Sequence, residues 1–170
     1  MISESASASS AREARFRIGD RNSERRLVKI MALDAPSQSL VKRLAQDQWD
    51  GASFLFAKSL GTLRHAGTPI STADVLTDTA GRTKHLLDEI GSADLVVMIA
   101  VAGESVLNVA AIGEACRLRR VTTTGLVLAS PSTPDAVLSR SLAQLRPWVL
   151  MLVVACTEDY VSDMLKALRA

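Results

Sequence analysis

Two short stretches of this chain gather the groups that bind anions. One reads Asp34-Ala35-Pro36-Ser37-Gln38-Ser39, the other Ala102-Gly103-Glu104-Ser105-Val106-Leu107-Asn108. Each follows an apolar run of strand length and precedes apolar residues at helical spacing, so each is expected where a strand's carboxyl end meets a helix's amino end. Unpaired backbone N–H groups and the positive helix end favour an anion there, and Gly103 would let a phosphate approach the backbone with no Cβ in the way. Ser37, Ser39, Ser105 and Asn108 add side-chain donors. Asp34 and Glu104 are the acids of the two loops. Glu104 competes with an anion at its helix end and suits a ribose hydroxyl, a magnesium ion or the cap itself. The serines serve equally well as ordinary N-caps, with Gly103 only permitting a tight turn; both readings stand at this point.

Other chemistry finds little support. His65 falls in an irregular stretch and His85 in an expected helix, without a Ser or Cys motif that would make either a general base. Cys116 and Cys156 show no C-x-x-C spacing and no clustered histidines, so no metal site is expected and both are read as buried small hydrophobes. The fingerprints G-x-x-x-x-G-K-S/T, G-x-G-x-x-G and G-x-S-x-G do not occur.

The elements that would position the two loops follow from the hydrophobic pattern. Residues 27–33 read as a strand, and Leu40, Val41, Leu44 and Ala45 recur at helical spacing towards Trp49. Residues 52–57 form a second strand, and 58–82 an irregular surface loop holding a short element, with Gly61, Gly67, Pro69 and Gly81. A helix is expected over 83–90, ending at Gly91. Residues 94–102 are apolar on both alternating faces, the signature of a central parallel strand covered on both sides. A helix from about 106 to 120 follows, then a strand over 121–128, a helix over 134–145, a strand over 148–155 and a closing helix over 157–170. The whole is an α/β fold, a three-layer, doubly wound, mostly parallel sheet of about five to six strands of Rossmann-like type. In such sheets ligands sit at the strands' carboxyl ends, which singles out the two loops.

Length and charge bound the rest. The chain's 170 residues suit one α/β domain over 27–170 behind a polar tail over 1–26. Aromatics make up only 4% against a large aliphatic share, as in sheets covered by helices on both faces. The tail holds six Arg against Glu4, Glu13, Asp20 and Glu24, which leaves the remainder neutral and gives no electrostatic footprint for nucleic acid. The longest apolar runs, 95–102 and 148–156, fall far short of the roughly 20 residues of a membrane-spanning helix. The amino end carries neither a secretory h-region nor the acid-poor composition of a transit peptide, so a cytoplasmic location follows by default.

From residue 27 to 155 the order of elements resembles the nucleotide-binding half of the tubulin and FtsZ family. Residues 93–100 look like the strand before that family's signature loop G-G-G-T-G-S/T-G, of which the loop at 102–108 keeps Gly103 and the hydroxyl of Ser105. Residues 124–131 and 143–154 resemble the next two strands with the helix between them. The resemblance implies a divergent domain in which binding of a nucleotide, GTP or GDP, is weak or lost, self-contained GTP hydrolysis is not expected, and the chain acts through self-assembly as a homo-oligomer or through a protein partner. The loop Ala102-Gly103-Glu104-Ser105 also resembles the Ser-Gly-Glu-S/T loop of sugar isomerase domains. That second resemblance implies a sugar phosphate as the small phosphorylated ligand, in a regulator or isomerase. A non-catalytic interaction module is the third reading.

The tail yields a first prediction. With Phe16 and Ile18 as its larger apolar anchors it contributes little burial. Deleting residues 1–25 should leave the melting temperature nearly unchanged; a clear drop in calorimetry would show that these side chains dock on the domain or on a second subunit.

Overall fold

The computed structural model describes residues 26–57, 75–106, 108–168 and 170. The elements read above lie within these stretches except for the tail, most of the irregular loop with His65, Leu107 and Arg169.

A single seven-stranded sheet organises the described residues, in the order β4-β3-β2-β1-β5-β6-β7. The strands are β1 (Val28–Ala32), β2 (Ala52–Ala57), β3 (Val75–Asp78), β4 (Thr83–His85), β5 (Leu95–Val101), β6 (Thr122–Leu128) and β7 (Met151–Ala155). Strands β2, β1, β5, β6 and β7 run parallel, and β3 and β4 add an antiparallel hairpin beyond β2. The sheet is therefore mixed but mostly parallel, consistent with a Rossmann-like α/β fold of higher strand count than the sequence suggested.

Burial on both faces of β1 and β5 explains their apolar sequences. Along β1, Val28, Ile30 and Ala32 join one core with Leu40, Val41 and Leu44 of α1 (Ala35–Leu44) and Val161 and Leu165 of the carboxyl-terminal helix (Glu158–Ala167). Met31, on the opposite face, joins a second core with Leu86 and Ile90 of α2 (Leu86–Gly91), Ile112 and Cys116 of α3 (Val109–Arg119) and Leu145 of α4 (Asp135–Leu145). The closing helix is α5. One layer of helices thus covers each face, and a central strand can expose no polar side chain without breaking a core.

Lys29 is the exception within β1. Only 9% exposed, it sends its ammonium to Glu89 Oε2 of α2 at 2.7 Å, with Ser53 Oγ at 3.4 Å. Lys84 approaches the same carboxylate at 3.6 Å. A buried ammonium needs such a partner, because desolvating an unpaired charge is expensive.

Several elements depart from the sequence reading. The hairpin β3–β4 occupies residues expected as an irregular loop holding one short element and as the start of a helix. Its strands are four and three residues long, too short for an alternating pattern to stand out, and the register is set instead by the turn. There Asp78 accepts from Ala80 N, Arg82 N and Arg82 Nε, and Gly81 takes a positive φ of 80°. Helix α1 stops at Leu44 rather than near Trp49, whose indole N–H turns back to the Leu44 carbonyl. Pro147 lies in a 3₁₀ turn, Arg146–Trp148, so β7 starts at Met151 rather than at 148. Trp148 packs on Gly113 of α3, where a Cβ would come within 2.7 Å of the Trp148 side chain. Cys116 is buried, which pushes its thiol up to about 12, whereas Cys156 is exposed, contrary to expectation, because β7 is an edge strand and the chain turns outwards at its end.

The ion pair supplies a prediction with a definite sign. Burial pushes the Glu89 carboxyl up, but the hydrogen bond and charge of Lys29, with Lys84 adding, outweigh it and hold the group below its ordinary value. A carboxylate depressed in the folded state stabilises above its unfolded value, and that contribution is lost as pH falls through the folded one. Glu89→Gln should cost about 1–3 kcal/mol at neutral pH, by leaving Lys29 without its anion. Chemical denaturation should show the difference from wild type shrinking as the pH is lowered below the carboxylate range.

Candidate functional site

The winding of the sheet reverses between β1 and β5. From β1 the chain crosses through α1 to β2 on one side, and from β5 through α3 to β6 on the other. Because α1 and α3 cover opposite faces, the loops entering them part at the strands' carboxyl ends, where open α/β sheets keep their ligand crevice. The two loops picked out from sequence are the two that flank this point.

Asp34 dominates the first loop. It is the N-cap of α1 and 6% exposed. One oxygen accepts from Ser37 N–H at 2.7 Å, while Ser37 Oγ accepts from Asp34 N–H at 3.1 Å, which closes a reciprocal capping box. The other oxygen accepts from the backbone N–H of Val101, at the end of β5, at 2.8 Å. The carboxylate therefore joins the amino end of α1 to the strand across the switch point. Ser37 is fully buried as the cap's third residue, whereas Ser39 lies on the exposed face of α1. The sequence suggested a serine cap here; the cap is the aspartate, whose two acceptor oxygens serve two donors at once.

In the second loop Gly103, Glu104 and Ser105 are exposed. Gly103 has φ of 92°, a conformation that L side chains rarely adopt, and Glu104 N–H donates to the Val101 carbonyl at 3.1 Å to close the turn. The Gly103 N–H donates to Ser141 Oγ of α4 at 2.9 Å, and that hydroxyl in turn donates to the Val137 carbonyl. A Cβ on Gly103 would sit 3.2 Å from Val137 Cγ1, so this face of the glycine is turned to α4. Asn108 is the N-cap of α3 but makes no capping bond through its side chain; its amide reaches the Ala57 carbonyl at the end of β2, at 3.4 Å.

The structure thus brings Asp34 and Ser37 against the strand that leads into the second loop, and places Glu104, Ser105 and Ser39 in solvent. Ser141 is the residue that sequence reasoning missed. Inside an amphipathic helix a serine carries no signal of its own, and only the docking of α4 on the sheet puts it against Gly103. Ser130 and Ser132, whose hydroxyls lie 2.9 Å apart after β6, stand at the same end of the sheet. A recess of about 460 Å³ opens at the opposite end, between Gly113, Arg117, Arg120 and Trp148. Among the described residues no group of three His, Cys, Asp or Glu is placed to hold a metal ion, and no helix is long and apolar enough to cross a membrane.

No protein-family model matches the chain, and no curated protein shows significant sequence similarity to it.

The two-acceptor role of Asp34 can be tested directly. Asp34→Asn keeps one acceptor oxygen but replaces the other with a donor, so one of the two N–H groups loses its partner; Asp34→Ala removes both. A cap is worth about 1 kcal/mol and an orphaned buried donor about 1–3 kcal/mol. Denaturant midpoints should therefore fall in the order wild type, Asn, Ala, with Ala down by about 2 kcal/mol or more on those figures.

Proposed function

We propose that this chain is a Rossmann-like domain whose strand-end crevice holds itself together instead of holding a nucleotide, and that it works by assembling with a protein partner. What supports the reading is one observation above all: a carboxylate occupies the amino end of α1. Asp34 takes the place that a glycine-rich loop would leave to a phosphate, and its negative charge disfavours a second anion there. The hydrogen bond from Gly103 N–H to Ser141 engages the backbone donor of the one glycine that the second loop retains. On this reading the chain is a divergent relation of the tubulin and FtsZ type of domain, with nucleotide binding lost and assembly kept. Self-contained GTP hydrolysis is not expected on this reading.

A second reading has its own observation. The Gly103-Glu104-Ser105 turn is exposed, and α3 lacks a side-chain cap at its amino end. A sugar phosphate could use those amides with Glu104 on a sugar hydroxyl, as the isomerase-like loop implies.

The two readings separate in one titration. Calorimetry of the folded chain with GTP, GDP and hexose phosphates should give no saturable heat, and none of them should raise the melting temperature, since only a ligand that favours the folded state does so. Saturable GTP or GDP binding would overturn the proposal, and stabilisation by hexose phosphates alone would establish the second reading.

A further inference from the structure

The two edges of the sheet are built in opposite ways. At one end β4 is three residues long, Thr83–His85, and carries Lys84, the short charged kind of edge that resists pairing with another chain. At the other end β7 has neither protection. From Val149 to Thr157 nine consecutive residues bear no charge, and no proline interrupts them. Apolar side chains stand in solvent on this strand and at its entrance: Leu150 is 83% exposed, Met151 42% and Val154 38%. Such an edge is a template for strand addition.

The backbone of β7 is turned the right way for it. The Ala155 carbonyl accepts from Ala129 N–H across the β6 side, and β7 pairs in parallel with β6 from Met151 to Ala155. Odd-numbered residues therefore turn their backbone groups to β6, and alternation turns those of Leu152 and Val154 outwards. Charge settles the direction of an added strand. Arg146 precedes the uncharged run, and Glu158 and Asp159 follow it, all three exposed, with Glu158 also bridged to Arg43 of α1. An antiparallel second copy sets the cationic end of each strand beside the acidic end of the other, whereas a parallel one would set like beside like.

We infer that β7 pairs antiparallel with β7 of a second copy about a two-fold axis at Val153, making one sheet of fourteen strands through two seven-stranded halves. Val153 is the midpoint of β7. In this register Leu152 of one copy faces Val154 of the other, so the outward backbone groups meet, and Met151 of each copy stands beside Ala155 of the other. Such an interface is isologous, the same patch used twice, and closes as a dimer. The inference deepens the reading given under Proposed function by naming the partner. Its test measures association and not ligand binding, so either can fail alone.

The experiment is sedimentation of the full chain over a wide concentration range, with two variants. Wild type should sediment as a dimer. Val154→Lys, at an exposed position, should keep the wild-type circular dichroism and weaken dimerisation at least tenfold by placing two ammonium groups at the pairing. Val153→Cys in a Cys156→Ser background should give a covalent dimer on mild oxidation, since residues facing each other across the axis lie within disulfide range. A wild-type monomer at every concentration would overturn the inference and leave the edge to another protein or to residues 1–25. So would a dimer that Val154→Lys leaves intact, or a Val153→Cys chain that does not cross-link.

Discussion

The pairing of β1 with β5 is the constraint on which the rest of this structure depends. There the sheet stops winding one way and starts winding the other, and its two strands are buried on both faces by different helices. Asp34 clasps the pairing at its carboxyl end, by capping α1 with one oxygen and holding the Val101 amide with the other. Lys29 and Glu89 perform a related task near the opposite end, where an ammonium on β1 is matched by a carboxylate from α2. The central strands are thus held by apolar burial along their length and by charged hydrogen bonds near both ends. Asp34 and Glu89 each serve more than one partner.

This arrangement bears on the use of the crevice. A switch point offers amide groups and a positive helix end, and an anion from outside or an acid from within can fill that role. Here the acid is part of the chain. A resident carboxylate draws on the same few N–H groups that an anion from outside would need. The second loop shows the same economy, with a helix hydroxyl from α4 taking the glycine amide. What remains exposed is the turn carrying Glu104 and Ser105, one helix start away from the clasp.

The two sheet edges repeat the contrast between closed and open. The β3–β4 hairpin ends the sheet in a short strand with a charged residue, and the adjoining turn is locked by Asp78 and Arg82. Strand β7 ends it with an uncharged apolar run, anchored at its entrance by Trp148 against Gly113. A close approach of helix and ring is available only where the helix carries a glycine, so Gly113 fixes where the chain enters the edge, and with it which residues of the run face outwards.

Much of the fold was legible in the sequence because burial on two faces leaves a plain mark. The unbroken apolar run of β5, the β-branched run of β6 and the alternation of strands with amphipathic helices sufficed to place the parallel strands and to single out the loops after β1 and β5. The polar hairpin was not legible, since two strands of four and three residues at an edge bury little beyond Leu76 and are fixed by turn hydrogen bonds rather than by pattern. Nor was the exposure of Cys156, because the sequence of an edge strand ending in solvent resembles that of a buried one. In the candidate site the sequence named Asp34 and Gly103 but could not give their partners. That Asp34 would bind Val101, and Gly103 would bind Ser141, was decided only when tertiary packing brought together residues 67 and 38 positions apart, a separation at which local spacing carries no information.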